Sequence, residues 1–306
     1  MRKGGGSLKQ AQKMSKRSFK NIAVSYSMLL PFILLFLVFT ILPIVSAFFL
    51  SLTDFNMLEI PKFVGWRNFQ RLFFEDSVFL IALKNTLIFA LITGPLSYVL
   101  AFFFAWLINE MPKRGRVFLT VVFYAPSVSG NIYFLWQYLF SGDSYGLVNG
   151  VLIQLGLLSE PVLWLTDPKY NLTIIIIIQL WLSLGVGFLA FIAGLQSVDS
   201  SQYEAGAIDG IRNRFQELWY LTIPNMKDMM LFGAVMQIAG AFSVGAITQA
   251  LSGGYMSVSY STLTIINHIT DYGTVRYEMG YASAVAVILF LLVYGSRKLI
   301  FRFLRW

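Results

Sequence analysis

The side chains of this sequence best placed to act on something else gather in residues 203–224, YEAGAIDGIRNRFQELWYLTIP. The stretch is polar and helix-forming, and long apolar runs flank it. Ser201 and Glu204 have the spacing of a capping box, in which each side chain bonds the other's amide. Asp209-Gly210 is a helix stop, because glycine takes the left-handed conformation without strain. The spacing predicts one short helix over about 201–209. Ala205, Gly206 and Ala207 give it a face without bulk, against which another backbone can lie close. Ile211, Phe215, Leu218 and Trp219 then recur at helical spacing, and Pro224 is expected to end that second helix. A solvated loop has no need of Tyr203, Ile208, Phe215 and Trp219 together. The chemistry expected here is non-covalent docking of a second protein onto two short helices joined by a tight turn.

Bond-making chemistry has little to work with. The chain has no cysteine and one histidine, His268. Thiolate nucleophiles, disulfides and histidine-rich metal sites are therefore excluded, and no catalytic or metal-ligating residue is assigned. No G-x-x-x-x-G-K-[ST] phosphate loop is present, so any ATP must be bound by another chain. A membrane enzyme needs convergent acids, bases or a metal at one depth, and none of the apolar runs carries paired carboxylates. An ion-coupled carrier, the other alternative, favours a buried acid, and no Asp or Glu lies deep in a run. His268, Asp271, Arg276 and Glu278 fall near the start of the last run. They read as solvated residues, Arg276 and Glu278 as ordinary helix-end charges, although they could also meet a cargo-delivering protein.

The elements that must position the docking segment are membrane spans. The 306 residues are 57% hydrophobic and 12% charged, with a mean hydropathy of +0.68, whereas a soluble domain carries about 25% charged residues. Six blocks are long enough to cross the hydrocarbon: about 22–51, 78–108, 117–140, 171–195, 229–251 and 277–299. The expected fold is an all-α integral membrane protein with six transmembrane helices and both termini cytoplasmic. Lysine and arginine set that orientation. Seven lie in the tail 1–21, three around Lys113, three in 196–228 and four at the end, against five in the alternate connections 52–77, 141–170 and 252–276. Lys84 lies near the outer end of its span and can snorkel. The same distribution reads the net charge of +8 as membrane topology and not as nucleic-acid binding. The domain reading is a basic cytoplasmic tail, 1–21, held near the anionic leaflet by its charge, then a transmembrane domain, 22–306, with its cytoplasmic loop at 196–228.

The apolar stretch 146–157 is too short to span and is expected along the outer interface or as a re-entrant piece. Trp66, Trp164 and Tyr170 stand where interfacial anchors belong. Pro31, Pro43, Gly94-Pro95 and Pro126 interrupt spans as kinks or hinges. Polar groups inside spans are costly and mark either a pathway or helix pairing. The fourth block carries Gln179, Trp181 and Ser183, and the fifth Met236, Gln237 and Ser243. An aromatic ring beside an amide suits a sugar, and the absence of a cationic cluster argues against phosphate-bearing cargo.

Glu204-Ala205-Gly206, Asp209-Gly210 and Ile223-Pro224 resemble the Glu-Ala-Ala loop of ATP-binding-cassette importer permeases. The chain departs from that pattern at Gly206, Ile211 and Ile223. Asn85-Thr86, Trp181, Gly194-Leu195, Tyr203 and the run from Gly280 to Ala284 also match, so the resemblance covers nearly the whole chain. It is closest to the carbohydrate branch, in particular the larger maltose-type permease. The resemblance implies a non-catalytic transport subunit of a bacterial or archaeal plasma membrane. Its implied partners are a second permease, two ATPase subunits that bind ATP and Mg, an extracytoplasmic solute-binding protein, membrane lipid and a sugar. The ATPase-coupling residues it implies are Tyr203, Glu204, Ala205, Gly206, Ala207, Ile208, Asp209, Gly210, Phe215 and Pro224. The family's substrate contacts, carried over by distance from the loop glutamate, land on Gln179, Leu182, Ser183 and Val186, then Met236, Ala239, Gly240 and Ser243. The expected substrate pathway is Gln179, Trp181, Ser183, Met236, Gln237, Gly240 and Ser243. The alternative is a permease for another solute delivered by a binding protein.

Overall fold

A computed structural model describes residues 24, 26–130, 132–254 and 256–303. The expected tail, 1–21, lies outside the described residues. Fourteen helical pieces carry the architecture around the site: α1 (Tyr26–Leu50), α2 (Arg67–Gln70), α3 (Ser77–Asn109), α4 (Lys113–Val128), α5 (Tyr133–Leu139), α6 (Leu147–Gln154), α7 (Asn171–Leu182), α8 (Val186–Ser197), α9 (Ser200–Ile208), α10 (Arg214–Glu217), α11 (Lys227–Phe242), α12 (Ala246–Leu251), α13 (Ile265–Thr270) and α14 (Met279–Phe303). No β-strand occurs among the described residues, only an isolated bridge between Thr53 and Phe63.

Four stretches are long and apolar enough to cross a membrane: Tyr26–Leu50, Ser77–Asn109, Asn171–Ser197 and Met279–Arg302. The pair α4 and α5 makes a fifth if read as one span broken by an 89° bend. The block expected at 229–251 is two helices. α11 has 16 residues, about 24 Å of rise, which falls short of the hydrocarbon thickness by itself. It stops at residues 243–245 because other chain passes through that point. A methyl group at Gly245 would sit 2.9 Å from Ile266 Cβ, and the Val244 carbonyl accepts from Thr264 Oγ1 at 2.7 Å.

The centre is a three-helix contact of α3, α8 and α11. Phe191 is fully buried there, with Tyr98 and Phe102 edge-on to its ring at 5.3 and 5.6 Å. It fits because α11 offers Gly233, where a methyl group would fall 2.5 Å from the ring. Gly194 does the same for Met226 and Met229. Small residues at these crossings let backbones approach, which is how helices pack without a hydrophobic driving force.

Irregular backbone among such helices needs partners, and polar side chains supply them. Asn85 donates to the carbonyls of Tyr260 and Leu263, and Thr86 Oγ1 accepts from the Ile265 amide. Buried Asn149 binds Ser141 and both ends of the Val162 peptide, and accepts from Trp164 Nε1 at 2.8 Å. Trp164, expected as an interfacial anchor, is thus tied into the connection between α5 and α7. The stretch 146–157 forms the short helix α6 in that connection.

The charges near the last span are a correction to the sequence reading. His268 is wholly buried and Asp271 nearly so. His268 Nε2 donates to Asp76 Oδ2 at 3.1 Å, and Tyr281 Oη donates to the same oxygen at 2.6 Å. Asp76 Oδ1 caps α3 by accepting from the Phe79 amide. Arg71 pairs with Glu278 and lies over the Tyr281 ring, and Arg276 pairs with Asp271 at 2.7 Å. None of this is visible in the sequence, because Asp76 and Tyr281 lie 205 residues apart. Burial works to raise the Asp76 carboxyl. The bonds from His268, Tyr281 and Phe79 outweigh it and hold the group well below the usual carboxylate range.

Two outcomes are expected for the purified protein in detergent. Asp76→Ala removes a helix cap and leaves two buried donors without an acceptor, a loss of about 2–4 kcal/mol. Because the folded pKa is depressed, the ionised carboxylate stabilises fully above about pH 5, and its contribution declines as pH falls through the unfolded value of about 3.9. Thermal melts should therefore show a gap between wild type and Asp76→Ala that is constant above pH 5 and narrows below it. Separately, Gly280 donates to the Phe55 carbonyl, and a methyl group there would collide with the Thr53 carbonyl oxygen and lie 3.1 Å from the Phe55 nitrogen. Backbone cannot step aside as a side chain can, so Gly280→Ala should cost about 1–3 kcal/mol. Gly206→Ala, which meets only side-chain ends, should melt closer to wild type.

Candidate functional site

Two places gather the expected residues. The first is a cavity of about 190 Å³ between α3, α11 and the α7–α8 junction. Gln179, Ser183, Met236, Gln237 and Gly240 line it, with Leu182 and Val186. The helix breaks at 183–185 because Gly185 leaves helical geometry at φ −110° and ψ −134°. The freed Ser183 carbonyl accepts from the Gln237 side chain at 3.2 Å and from the Gly185 amide at 2.8 Å. Gln237 thus bridges α11 to the break while standing in the cavity wall. A side chain at Gly240 would meet nothing within 4 Å, so this glycine is what opens the space.

Two expected residues stand elsewhere. Trp181 turns away from the cavity and packs edge-on against Trp136 at 5.1 Å. Ser243 is exposed past the end of α11 and donates back to the Ala239 carbonyl. Conversely, α3 contributes Thr93 and Ser97, which the sequence reading passed over. They flank Gly94-Pro95 with i, i+4 spacing, which puts them on one face. A polar pair beside a proline in an apolar span was the available signal. The wall is made of amides, hydroxyls and apolar side chains, and no charged residue lines it.

The second place is the loop after α8. Asp199, and not Ser201, caps α9: its side chain accepts from the Ser201 amide at 3.0 Å, which also lowers its pKa. The capping box between Ser201 and Glu204 is therefore not the device used. The Asp-Gly stop is: Gly210 has φ +95°, and the Ile211 amide bonds the Gly206 carbonyl across the end of the helix. Gly206 faces inward and not toward a partner. A methyl group there would lie 2.7 Å from Leu221 Cδ1 and 3.0 Å from Ile211 Cδ1. The departures at Gly206 and Ile211 are thus complementary, a smaller residue making room for a larger one.

The second helix begins later than its apolar spacing indicates. Asn213 caps it by accepting from the Gln216 amide, which leaves Ile211 outside. Pro224 does not end it either. A wide turn, Leu218–Thr222, precedes a further helical turn, Ile223–Asn225, with the proline in its first positions, where a missing amide costs little.

The expected loop residues therefore divide. Tyr203 points inward, its hydroxyl 3.0 Å from Thr222 Oγ1. Glu204, Ala205, Ala207, Ile208, Asp209, Gly210, Phe215 and Pro224 are exposed. Ile208, Phe215 and Trp219 are 87%, 72% and 61% exposed, an unusual cost for large apolar side chains on a polar loop. Arg214 pairs with Glu217 at 2.7 Å and with Glu110, at the end of α3, at 3.3 Å. Both carboxylates push the guanidinium pKa further up.

No family model matches the chain. Curated relatives match along nearly all of it. A probable ABC transporter permease, YesP of Bacillus subtilis (strain 168), is 31% identical over 286 residues, covering 92% of this chain and 91% of the relative. The lactose transport system permease LacF of Rhizobium radiobacter is 32% identical over 267 residues, covering 86% and 88%. Among solved structures, a bacterial alginate ABC transporter, in complex with an alginate pentasaccharide-bound periplasmic protein, contains a chain of the same fold. That chain matches with a TM-score of 0.72 at 24% identity, covering 92% of this chain and 94% of that one. The identity and coverage of these relatives, on a helical fold with span-length apolar helices, make the chain a member of the permease subunits of ABC transporters.

Proposed function

We propose that this permease imports a neutral sugar or oligosaccharide, with six crossings and both termini in the cytoplasm. The remaining crossing, fifth in chain order, is α11 with α12, a broken span whose irregular backbone is tolerated because it is buried in protein. The charge bias of the alternate connections supports this orientation and places loop 196–228 inside. The tail 1–21 then lies at the cytoplasmic leaflet of a bacterial or archaeal plasma membrane.

The observation that carries the reading is the division of the loop. Its inner side is closed by Tyr203, Gly206 and Leu221, while Ile208, Phe215 and Trp219 stand exposed. That surface suits a cleft in an ATPase subunit. Two ATPases bind and hydrolyse ATP with Mg, and this chain is the non-catalytic part. Their closure pushes the loop and rocks helices about the cavity, switching access from one side to the other. At about 190 Å³ the cavity is smaller than a typical ligand site of roughly 300–1,000 Å³, which fits half of a pathway completed by a second permease. The solved alginate transporter, held with a sugar-loaded periplasmic protein, supports delivery by an external binding protein. Relatives named for lactose, arabinooligosaccharides and trehalose/maltose support a sugar. One relative is named for sn-glycerol-3-phosphate, but the cavity offers no cation to a phosphate.

Two variants of the assembled complex test the two halves of this reading. Ile208→Asp puts a charge into the proposed docking surface and should reduce ATPase co-purification by at least about tenfold. Retention of the ATPase would contradict the coupling role. Gly240→Phe fills the cavity from a position with room for it and should keep the ATPase bound while abolishing uptake across a panel of neutral oligosaccharides. Undiminished uptake would contradict the pathway.

A further inference from the structure

Loop 196–228 is joined by the chain to α8 and α11, so any push on it reaches those helices directly. It also touches a third helix that the chain does not join to it. At the end of α3, Glu110 faces Arg214 at 3.3 Å, and the Trp106 ring lies 5.5 Å from Phe215. Trp106, Glu110, Tyr203, Arg214 and Leu218 surround a small cleft of about 150 Å³. The far end of α3 is anchored too, by Asp76 and its partners. Between these ends runs one helix of 33 residues, about 50 Å long. Midway along it, Thr93 and Ser97 form part of the cavity wall.

We propose that Glu110 and Trp106 are positioning residues that make α3 a second receiver of the loop's movement. Arg214 and Phe215 hand displacement to the end of this rod, and Thr93 and Ser97 carry it to the cavity. The inference rests on the coupling role of the loop and adds a route to it. The ion pair is half-exposed, with side chains 64% and 39% accessible, and such pairs contribute little to folding. Its reversal should therefore leave the fold intact and alter only how movement is shared.

The absence of native cysteine in this chain makes single reporters possible. Ser97→Cys reports on α3 and Gly240→Cys on α11, both in the cavity wall. In the full complex, with cysteine-free partners, the labelling rate of each by a membrane-impermeant maleimide is measured with and without ATP and vanadate. The expected result is a nucleotide response at both reporters in the otherwise unaltered chain. Glu110→Arg or Arg214→Glu should shrink the Ser97→Cys response by about two- to fivefold, the factor an ion pair of this kind supplies. The Gly240→Cys response should hold, and the double charge swap should restore the Ser97→Cys response.

Loss of response at both reporters alike means a general structural defect and overturns the relay. No change at either reporter overturns it too, as does loss of the ATPase on reversing Glu110, which would make the pair part of docking. If neither reporter answers nucleotide in the unaltered chain, the coupling role falls and takes the relay with it. If Ile208→Asp releases the ATPase while Glu110→Arg and Arg214→Glu leave the Ser97→Cys response unaffected, only the relay falls.

Discussion

The structure depends on one constraint: a peptide group released from a helix inside an apolar medium must find another partner. The helices of this chain are broken at 183–185 and again at 243–245. Each break frees carbonyls, and in each case a polar side chain from a different helix or segment takes one. Gln237 reaches the Ser183 carbonyl, and Thr264 reaches that of Val244. Asn85 and Thr86 serve the returning segment between α12 and α13 in the same way. An unpaired peptide at such depth costs several kcal/mol, so these few amides and hydroxyls determine where the backbone is allowed to be irregular.

The cavity is a consequence of the same arrangement. It lies where α7 and α8 part, beside the side chain that satisfies the break, and a glycine holds it open. Polar lining and structural bridging are one set of atoms in Gln237. The loop shows a comparable economy. Gly206 accepts Leu221 and Ile211 beneath α9, which leaves the apolar residues on the opposite side uncovered. A closed inner face and an open outer one are what a rigid contact surface requires.

Much of this was legible from residue types and spacing. Span-length apolar runs located α1, α3, the α7–α8 pair and α14, because hydropathy over some 20 residues is a local property. The Asp209-Gly210 stop was readable for the same reason. Gln179, Ser183, Met236, Gln237 and Gly240 share one cavity, where helical spacing and the family resemblance together brought them. Apart from the choice of helix cap, the misses come from tertiary packing. Asp199 outcompeted Ser201 as a cap, since both types suit the position and one residue decides. Trp181 left the cavity for Trp136, a contact between separate helices that no periodicity encodes. His268 read as solvated because its partner, Asp76, is brought to it only by folding, and Asp271, which pairs with nearby Arg276, is buried by the packing around it. The break at 243–245 carried a weak glycine signal, but its cause, the passage of Ile266, is tertiary.

The central claim is that the loop faces the cytoplasm and seats in an ATPase. The most direct measurement is cross-linking from a photoreactive group on a cysteine introduced at Ile208, in native membranes. The expected result is an adduct with the ATPase subunit whose yield changes when ATP is added, and no labelling of that cysteine by an impermeant reagent applied from outside. Outside labelling, or adducts with lipid alone in the assembled complex, would contradict it.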